Sequence, residues 1–428
     1  MKTGCPYCGN NPVPHRFYWY TESLNIFFTP LRQKFLYNRL SSFFNSGLWL
    51  GRIGNFSLDL GVFFGIISFQ KDVKLCKVRR AQVLWEEAEK RGIQMEELQI
   101  FGKPIDSYTA EKLEIGKLPD RPRLGEGGGN LKKLKRRIIF SGLPRPEGYT
   151  NRWLDLMDDK WLFKKAMMEN GLPVPKGASC SRYYEAERIF QKIQNSDSSA
   201  FSLKSPISNL KFVIVKPRAG SRGRHSTTFV LTENDLNKAY KIAKRLCFWV
   251  MVEEQLQGPV YRATVINGNL AGVLRGDPPQ VFGDGIKNIS QLINIKNSLP
   301  HPGVKNILPD AGMELFLSRQ NLTLSSVVPA GQTVNLSEKI GVNYGGSSSE
   351  DFEICHPENK EMFLSAAKVL GDPIVGFDFI IPDITKSYKQ QKCGFIEVNS
   401  LPFINLHHDP LLGTPRNAAA LVWEMLGW

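Results

Sequence analysis

The sequence predicts a mixed α+β, α/β chain in two parts: a basic, aromatic-rich N-terminal region over residues 1–157 and a larger unit over residues 158–428. Three observations carry this. With 428 residues, a single compact core is not expected. From about Asp158 onward, helical and strand periodicities alternate with sharp punctuation. Near the C-terminus, Gly376-Phe377-Asp378-Phe379-Ile380-Ile381 and Gly394-Phe395-Ile396-Glu397-Val398-Asn399-Ser400 read as buried strands, yet each carries oxygens that a core strand normally excludes.

In the first part, residues 78–91 read as a helix stopped by Gly92, followed by short β-like pieces at Gln99-Ile100-Phe101 and Arg137-Ile138-Ile139-Phe140. Between them, Lys117 to Lys133 holds Pro, Gly and basic residues and marks a loop or linker. In the second part, Asp158-Asp159-Lys160 opens a helix that closes at Asn170-Gly171, with Pro173 and Pro175 preventing continuation. Asn195 to Leu210 is Ser-rich and reads as a mobile surface loop. Phe212 to Lys216 and Thr227 to Leu231 are strands flanking a Gly/Arg turn. Glu233 to Arg245 is a helix, and Trp249 to Glu253 is a strand. Val260 to Ile266 pairs with Asn269 to Leu274 across Asn267-Gly268 as a hairpin.

Hydrophobic content of 42% and charged content of 22% are those of a folded globular protein. The net charge of +14 is unevenly placed: residues 1–157 hold 25 Lys+Arg against 15 Asp+Glu (+10), and the rest hold 30 against 26 (+4). Such an excess suits an acidic substrate, a membrane surface or nucleic acid, and charge alone does not choose among them. Seven scattered cysteines are not a disulfide framework, so a reducing cytoplasm is expected. Cys5-Pro6-Tyr7-Cys8, with His15, has half the spacing of a zinc knuckle, but no second Cys-x-x-Cys follows. No signal peptide is read. Gly47 to Phe69 is long enough to cross a bilayer, but it holds Arg52 and Asp59, each costing roughly 2.5–3.5 kcal/mol at a helix centre. Leu31, Phe35, Leu36, Leu40, Phe43 and Phe44 form a stripe that suits a membrane surface or, more commonly, internal packing.

Asp378, Glu397 and Asn399 form a hard-oxygen set on neighbouring strands, suited to Mg²⁺ with nucleotide phosphates. The alternative is strand-end residues in solvent. Lys216 ends an apolar strand immediately before Arg218-Ala219-Gly220-Ser221-Arg222-Gly223-Arg224, a turn able to offer backbone N–H groups to phosphate, although a basic Gly-rich hairpin turn is also common. Glu253-Glu254-Gln255-Leu256 ends a strand where backbone groups could meet an adenine edge; solvated glutamates are the alternative. Arg262 and Arg275, on the two arms of the hairpin, are candidates to hold a carboxylate or acyl-phosphate, against the bland alternative of solvent-facing arginines.

Taken in order, these pieces resemble the ATP-grasp superfamily of carboxylate–amine ligases, from about Asp159 to the C-terminus. The likeness is to the ATP-grasp domains of cyanophycin synthetase and the bifunctional glutathione synthetases. It rests on Asp159-Lys160, Gly171-Leu172-Pro173-Val174-Pro175, Val215-Lys216-Pro217 and Val252-Glu253-Glu254-Gln255-Leu256-Gln257-Gly258. It continues through Gly283-Asp284-Gly285, Asn343-Tyr344-Gly345-Gly346, Gly376-Phe377-Asp378, Glu397-Val398-Asn399-Ser400 and His408 to Arg416. The resemblance implies two α+β lobes clasping ATP, with Lys160 and Lys216 on phosphates, Gly220, Ser221, Arg222 and Gly223 closing over them, and Glu253, Glu254 and Leu256 at adenine. Asp378, Glu397 and Asn399 would hold Mg²⁺, for which Mn²⁺ can substitute. Asn343, Gly345, Gly346 and Arg416 would bind substrate, and Arg262 and Arg275 would serve the chemistry.

Two departures stand out. Pro259-Val260 follow the hinge glycine where relatives often carry ribose-contacting polar residues, and residues 1–150 match no motif of cyanophycin synthetase. The expected activity is ATP-dependent amide or peptide bond formation on a small-molecule or peptide carboxylate plus an amine. A homo-oligomer is expected; no nucleic acid is expected, and peripheral membrane contact is the less favoured option. The rival reading is a degenerate, non-catalytic module that binds nucleotide and acts through a partner or membrane surface.

Overall fold

The structure is a computed structural model that describes residues 15–31, 60–115, 133–146, 149, 157–196, 211–220, 223–299 and 303–428. Its first sheet is antiparallel, in the order β1 (Ile67–Gln70), β2 (Gln94–Ile100), β3 (Lys103–Ile115) and β4 (Lys133–Ser141). Phe101 is not part of a strand. It takes φ 49° and Gly102 φ 70°, making the two-residue turn between β2 and β3. The 13-residue β3 escapes sequence reading because Asp106, Glu111, Lys112 and Glu114 dilute its apolar alternation, leaving Tyr108 and Ala110 as its fully buried anchors.

The helix Arg79–Lys90 covers this sheet with Ala81, Leu84, Trp85 and Ala88 and ends before Gly92, which takes φ 68°. Its core is continuous with that of the C-terminal helix Ala418–Met425: Trp85, Tyr108 and Phe140 cluster with Trp423, Ile266 and Ile374. The indole Nε1 of Trp423 donates to the Leu84 carbonyl at 2.9 Å. The first sheet is thus welded to the far end of the chain.

The second sheet runs β5 (Gly177–Cys180), β8 (Val250–Glu254), β6 (Val213–Pro217), β7 (Thr227–Val230), with Tyr183–Asn195 and Glu233–Ala243 packed on it through Phe190, Ile193, Leu236 and Tyr240. The third runs β15 (Gly394–Asn399), β14 (Ile374–Ile380), β9 (Val260–Ile266), β10 (Asn269–Asp277), β13 (Ser347–Glu350), β16 (Leu412–Gly413); β11 (Gln280–Phe282) and β12 (Thr333–Asn335) form a separate pair. Asn267 and Gly268 both take positive φ (48° and 75°), the mirror-image turn that the Asn-Gly pair favours.

Register divides the chemistry of the third sheet between its faces. Tyr261, Ala263, Val265, Phe377 and Phe379 pack with the helix Pro357–Leu370, so the alternate residues Arg262 and Asp378 face the other way. The helix Lys160–Glu169 joins the same core through Phe163 and Met167 and is capped by Asp159, whose Oδ1 accepts the Trp161 and Leu162 amides. The helix His15–Leu31 seats Ile26 against Ala219 and Cys247, and its Ser23 hydroxyl accepts the Phe248 amide at 2.9 Å.

Several sequence readings fall outside the described residues: the Cys5/Cys8 pair, the stripe beyond Leu31, most of Lys117–Lys133 and residues 197–210 of the Ser-rich segment. Of the Gly47–Phe69 stretch, the described part enters β1 at Ile67, and among the described residues no helix is long and apolar enough to cross a membrane.

Candidate active site

Lys160 stands at the meeting of the second and third sheets. Its Nζ donates to the Gly220 carbonyl and lies 3.8 Å from Glu397 Oε1. The helix start is fixed there by Arg218, whose Nε and second terminal nitrogen reach the two oxygens of buried Asp159 at 2.7 and 2.6 Å. This two-pronged clamp ties the lysine-bearing helix to the glycine turn. Gly220 (φ 100°) and Gly223 (φ 62°) hold left-handed conformations costly for other residues. Ser221 and Arg222 lie outside the described residues. Arg224 stacks on Tyr18 of the N-terminal helix, 4.6 Å from the ring centre.

Lys216, at the end of β6, is buried, with Nζ 2.6 Å from Glu253 Oε2; Lys164 Nζ holds Oε1 of the same carboxylate at 2.7 Å. Burial alone would raise the Glu253 pKa, but Lys216 and Lys164 outweigh it and bring it to about 2. The Glu253 side chain is therefore an internal counter-ion and not a surface group. Glu254 is likewise engaged, accepting the Lys176 amide at 2.8 Å and meeting Lys392 at 2.6 Å. The amides of Glu254 and Gln255 are spent on the Lys176 and Phe212 carbonyls. The next amide along the hinge is that of buried Leu256.

On the third sheet, Asp378 lies directly across from both Arg262 and Glu397, and Asn399 follows two residues after Glu397 on the same face. Arg262 grips Asp378 through Nε (2.8 Å) and a terminal nitrogen (3.0 Å). That carboxylate is the main reason the Arg262 pKa rises. Glu397 keeps a partly exposed carboxylate, and among the described residues the Asn399 Nδ2 is buried without a hydrogen-bond partner. Two carboxylates and the oxygen of a carboxamide on one face are the donor types that a hard divalent cation takes. No cluster of three His, Cys, Asp or Glu that could hold a metal occurs among the described residues, so a metal here would rest on this mixed set.

Arg275 is not brought to this face. It pairs with Tyr261, on the side opposite Arg262, and its Nε is 3.0 Å from Asp277. Burial lowers its pKa, but Asp277 more than compensates. The two arms of the hairpin therefore do not converge on one anion. Asn343 lies in a short turn closed by Gly345 (φ 83°), where Gly345 and Gly346 line an open cavity of about 260 Å³ with Lys296 and Lys305. A Cβ on Gly346 would sit 2.1 Å from the Asp277 carbonyl, so only glycine fits. Arg416 is engaged elsewhere: Nε donates to the Ala271 carbonyl at 2.7 Å and the guanidinium lies 3.5 Å from the Phe352 ring centre.

Three supports escape sequence reading. Lys164 follows Lys160 by one helical turn, a spacing that could have flagged it. Arg145 reaches from the N-terminal region to the Ser400 and Ile374 carbonyls and to Asp372, bracing the chain just after Asn399. Buried His407 joins Glu350 (2.6 Å) to Thr264 (2.7 Å), a contact made possible by Gly272, where a Cβ would lie 2.2 Å from His407 Nδ1. These contacts link residues far apart in sequence, so no local pattern announces the last two.

No family model matches the chain. It is 30% identical over 281 residues to the cyanophycin synthetase of Crocosphaera subtropica, covering 64% of this chain and 30% of that protein. It is 29% identical over 279 residues to the bifunctional glutathione biosynthesis protein of Clostridium perfringens, covering 63% and 34%. The chain thus spans about a third of the length of these curated relatives. Among solved structures, a bifunctional glutathione synthetase from Pasteurella multocida superposes with a TM-score of 0.49 at 24% identity, over 81% of this chain and 43% of that one. The D-alanine–D-alanine ligase of Bacillus anthracis superposes with a TM-score of 0.38 at 13% identity, over 64% and 67%. The sequence matches make the chain, over 64% and 63% of its length, a homologue of cyanophycin synthetase and of the bifunctional glutathione biosynthesis protein.

Proposed function

We propose that the chain is an ATP-dependent ligase that joins an amino-acid or peptide carboxylate to an amine. The observation that carries this reading is the position of Lys160, between the Gly220 carbonyl of the phosphate-type turn and the Glu397 carboxylate of the acid-bearing strands. A cation held at that junction can follow a phosphoryl group as it moves from nucleotide to acceptor. The relationship to two families of ATP-grasp ligases supports the same conclusion.

In this reading ATP lies between the second and third sheets, with Lys160 and Lys216 on its phosphates, the Gly220–Gly223 turn over them, and only the backbone of the hinge residues Glu253, Glu254 and Leu256 against adenine. Asp378, Glu397 and Asn399 would hold Mg²⁺ or Mn²⁺, whose charge would offset that of the nucleotide phosphates. A substrate carboxylate oxygen attacks the γ-phosphorus; that P–O bond forms as the bond to ADP breaks, giving an acyl-phosphate. The amine nitrogen then attacks the carbonyl carbon, the C–O bond to phosphate breaks, inorganic phosphate leaves, and the amine gives up a proton. Arg262, on the acid-bearing face, would steady the developing negative charge, and Asn343, Gly345 and Gly346 would contact substrate. Five described cysteines are free and buried, in keeping with a cytoplasmic protein.

The test is a screen of amino-acid and dipeptide pairs for coupled release of ADP and phosphate, with mass detection of the product. Release that depends on both a carboxylate and an amine, with a product lighter by one water than their sum, supports the reading. ATP binding with no turnover for any pair would favour the non-catalytic module.

A further inference from the structure

The buried triad of Lys164, Glu253 and Lys216 carries one more positive charge than negative. Lys164 and Glu253 side chains are 3% and 4% exposed, and Lys216 is 10% exposed. A single lysine would already neutralise the glutamate. A second buried ammonium is costly to desolvate, and burial is indeed the main cause that lowers the Lys164 pKa. The excess charge becomes favourable once another anion arrives.

Each lysine holds its own oxygen of the carboxylate: Lys164 Nζ donates to Oε1 at 2.7 Å, and Lys216 Nζ lies 2.6 Å from Oε2. Lys216 ends the strand that leads directly into the glycine turn, while Lys164 lies one helical turn inward from Lys160.

We propose that Lys164 is a positioning residue: it stays on Glu253 as a standing counter-ion and so releases Lys216 to take a nucleotide phosphate. The proposal rests on the ligase reading of Lys216. Without Lys164, drawing Lys216 toward phosphate would strip Glu253 of its last cation and leave a bare buried carboxylate beside an incoming polyanion. With Lys164 in place, the triad's surplus charge is the complement of that anion.

Calorimetric titration with MgADP, alongside thermal melting, tests this on the full chain. Lys164→Met should weaken MgADP binding by about tenfold or more, a loss of about 1.4 kcal/mol in binding. Lys164→Met combined with Glu253→Gln should recover most of it, because no carboxylate then competes for Lys216, and Lys164→Arg should stay near the unaltered protein. Should the single variant fail to fold, the double variant and Lys164→Arg still decide: both must bind MgADP within a few-fold of the unaltered protein. A fall in melting temperature with unchanged MgADP affinity, or equal weakening in the single and double variants, overturns the proposal. Absence of MgADP binding by the unaltered protein contradicts the ligase reading itself, and this proposal with it.

Discussion

Arg262 and Asp378 lie directly opposite one another on adjacent antiparallel strands and meet through two hydrogen bonds, of 2.8 and 3.0 Å. Asp378 thus belongs both to a buried ion pair and to the proposed metal set. Arg262→Ala would leave the carboxylate desolvated without its partner, which costs about 3 kcal/mol, the low end for breaking a buried pair because Arg262 keeps some exposure. Arg262→Lys would preserve charge but not the two-pronged contact, and should fall between. Urea unfolding of the three proteins checks the order.

Arg275 faces the other side of the same hairpin, beside Asp277 and Tyr261. Its replacement by Ala or Lys should leave kcat and the KM for ATP within about threefold, since a partly exposed ion pair contributes about 1 kcal/mol or less. Steady-state kinetics of the two variants decide this. A large fall in kcat for Arg275→Lys would show that the guanidinium reaches the reacting atoms despite its register.

Glu253 sets an acid limit. Its folded pKa, about 2, lies below the ordinary 4.5, so the unfolded chain takes up its proton first as pH falls. The stability it confers is full above about pH 4.5 and is lost as pH falls toward 2. Unaltered protein should therefore lose more melting temperature between pH 5 and pH 3 than Glu253→Gln, a comparison that thermal denaturation makes directly. Equal losses would mean that the two lysines do not hold Glu253 ionised.

What could be read in the sequence was whatever announces itself locally. Asp159, Asn170 and Gly171 mark both ends of a helix, and Asn267-Gly268 marks a hairpin, because capping and left-handed turns depend on the residue itself. The pairing of Asp378 with Glu397 also followed, since each sits mid-strand among buried aromatics. The division of Arg262 and Arg275 between faces did not, because it depends on a bulge near Leu270 and Gly272 and on the register of three strands. Nor did the burial of Glu253, where two glutamates in a row read as solvated until a lysine from another element reaches each oxygen. The fusion of the N-terminal sheet to Trp423 joins residues more than 300 positions apart, which no local pattern encodes.

In the proposed ligase, Glu397 takes part in holding the divalent ion that nucleotide turnover needs. Glu397→Gln is nearly isosteric, and the carboxylate it replaces is partly exposed with a cation 3.8 Å away, so the fold should persist with little change in melting temperature. The direct measurement is Mg²⁺-dependent ADP release by unaltered protein and by Glu397→Gln, in the presence of a carboxylate–amine pair that supports turnover. Loss of about 100-fold or more is expected in the variant at ordinary Mg²⁺, in line with removing one preorganised charge from a phosphoryl-transfer site. Turnover by Glu397→Gln equal to that of the unaltered protein would contradict that role.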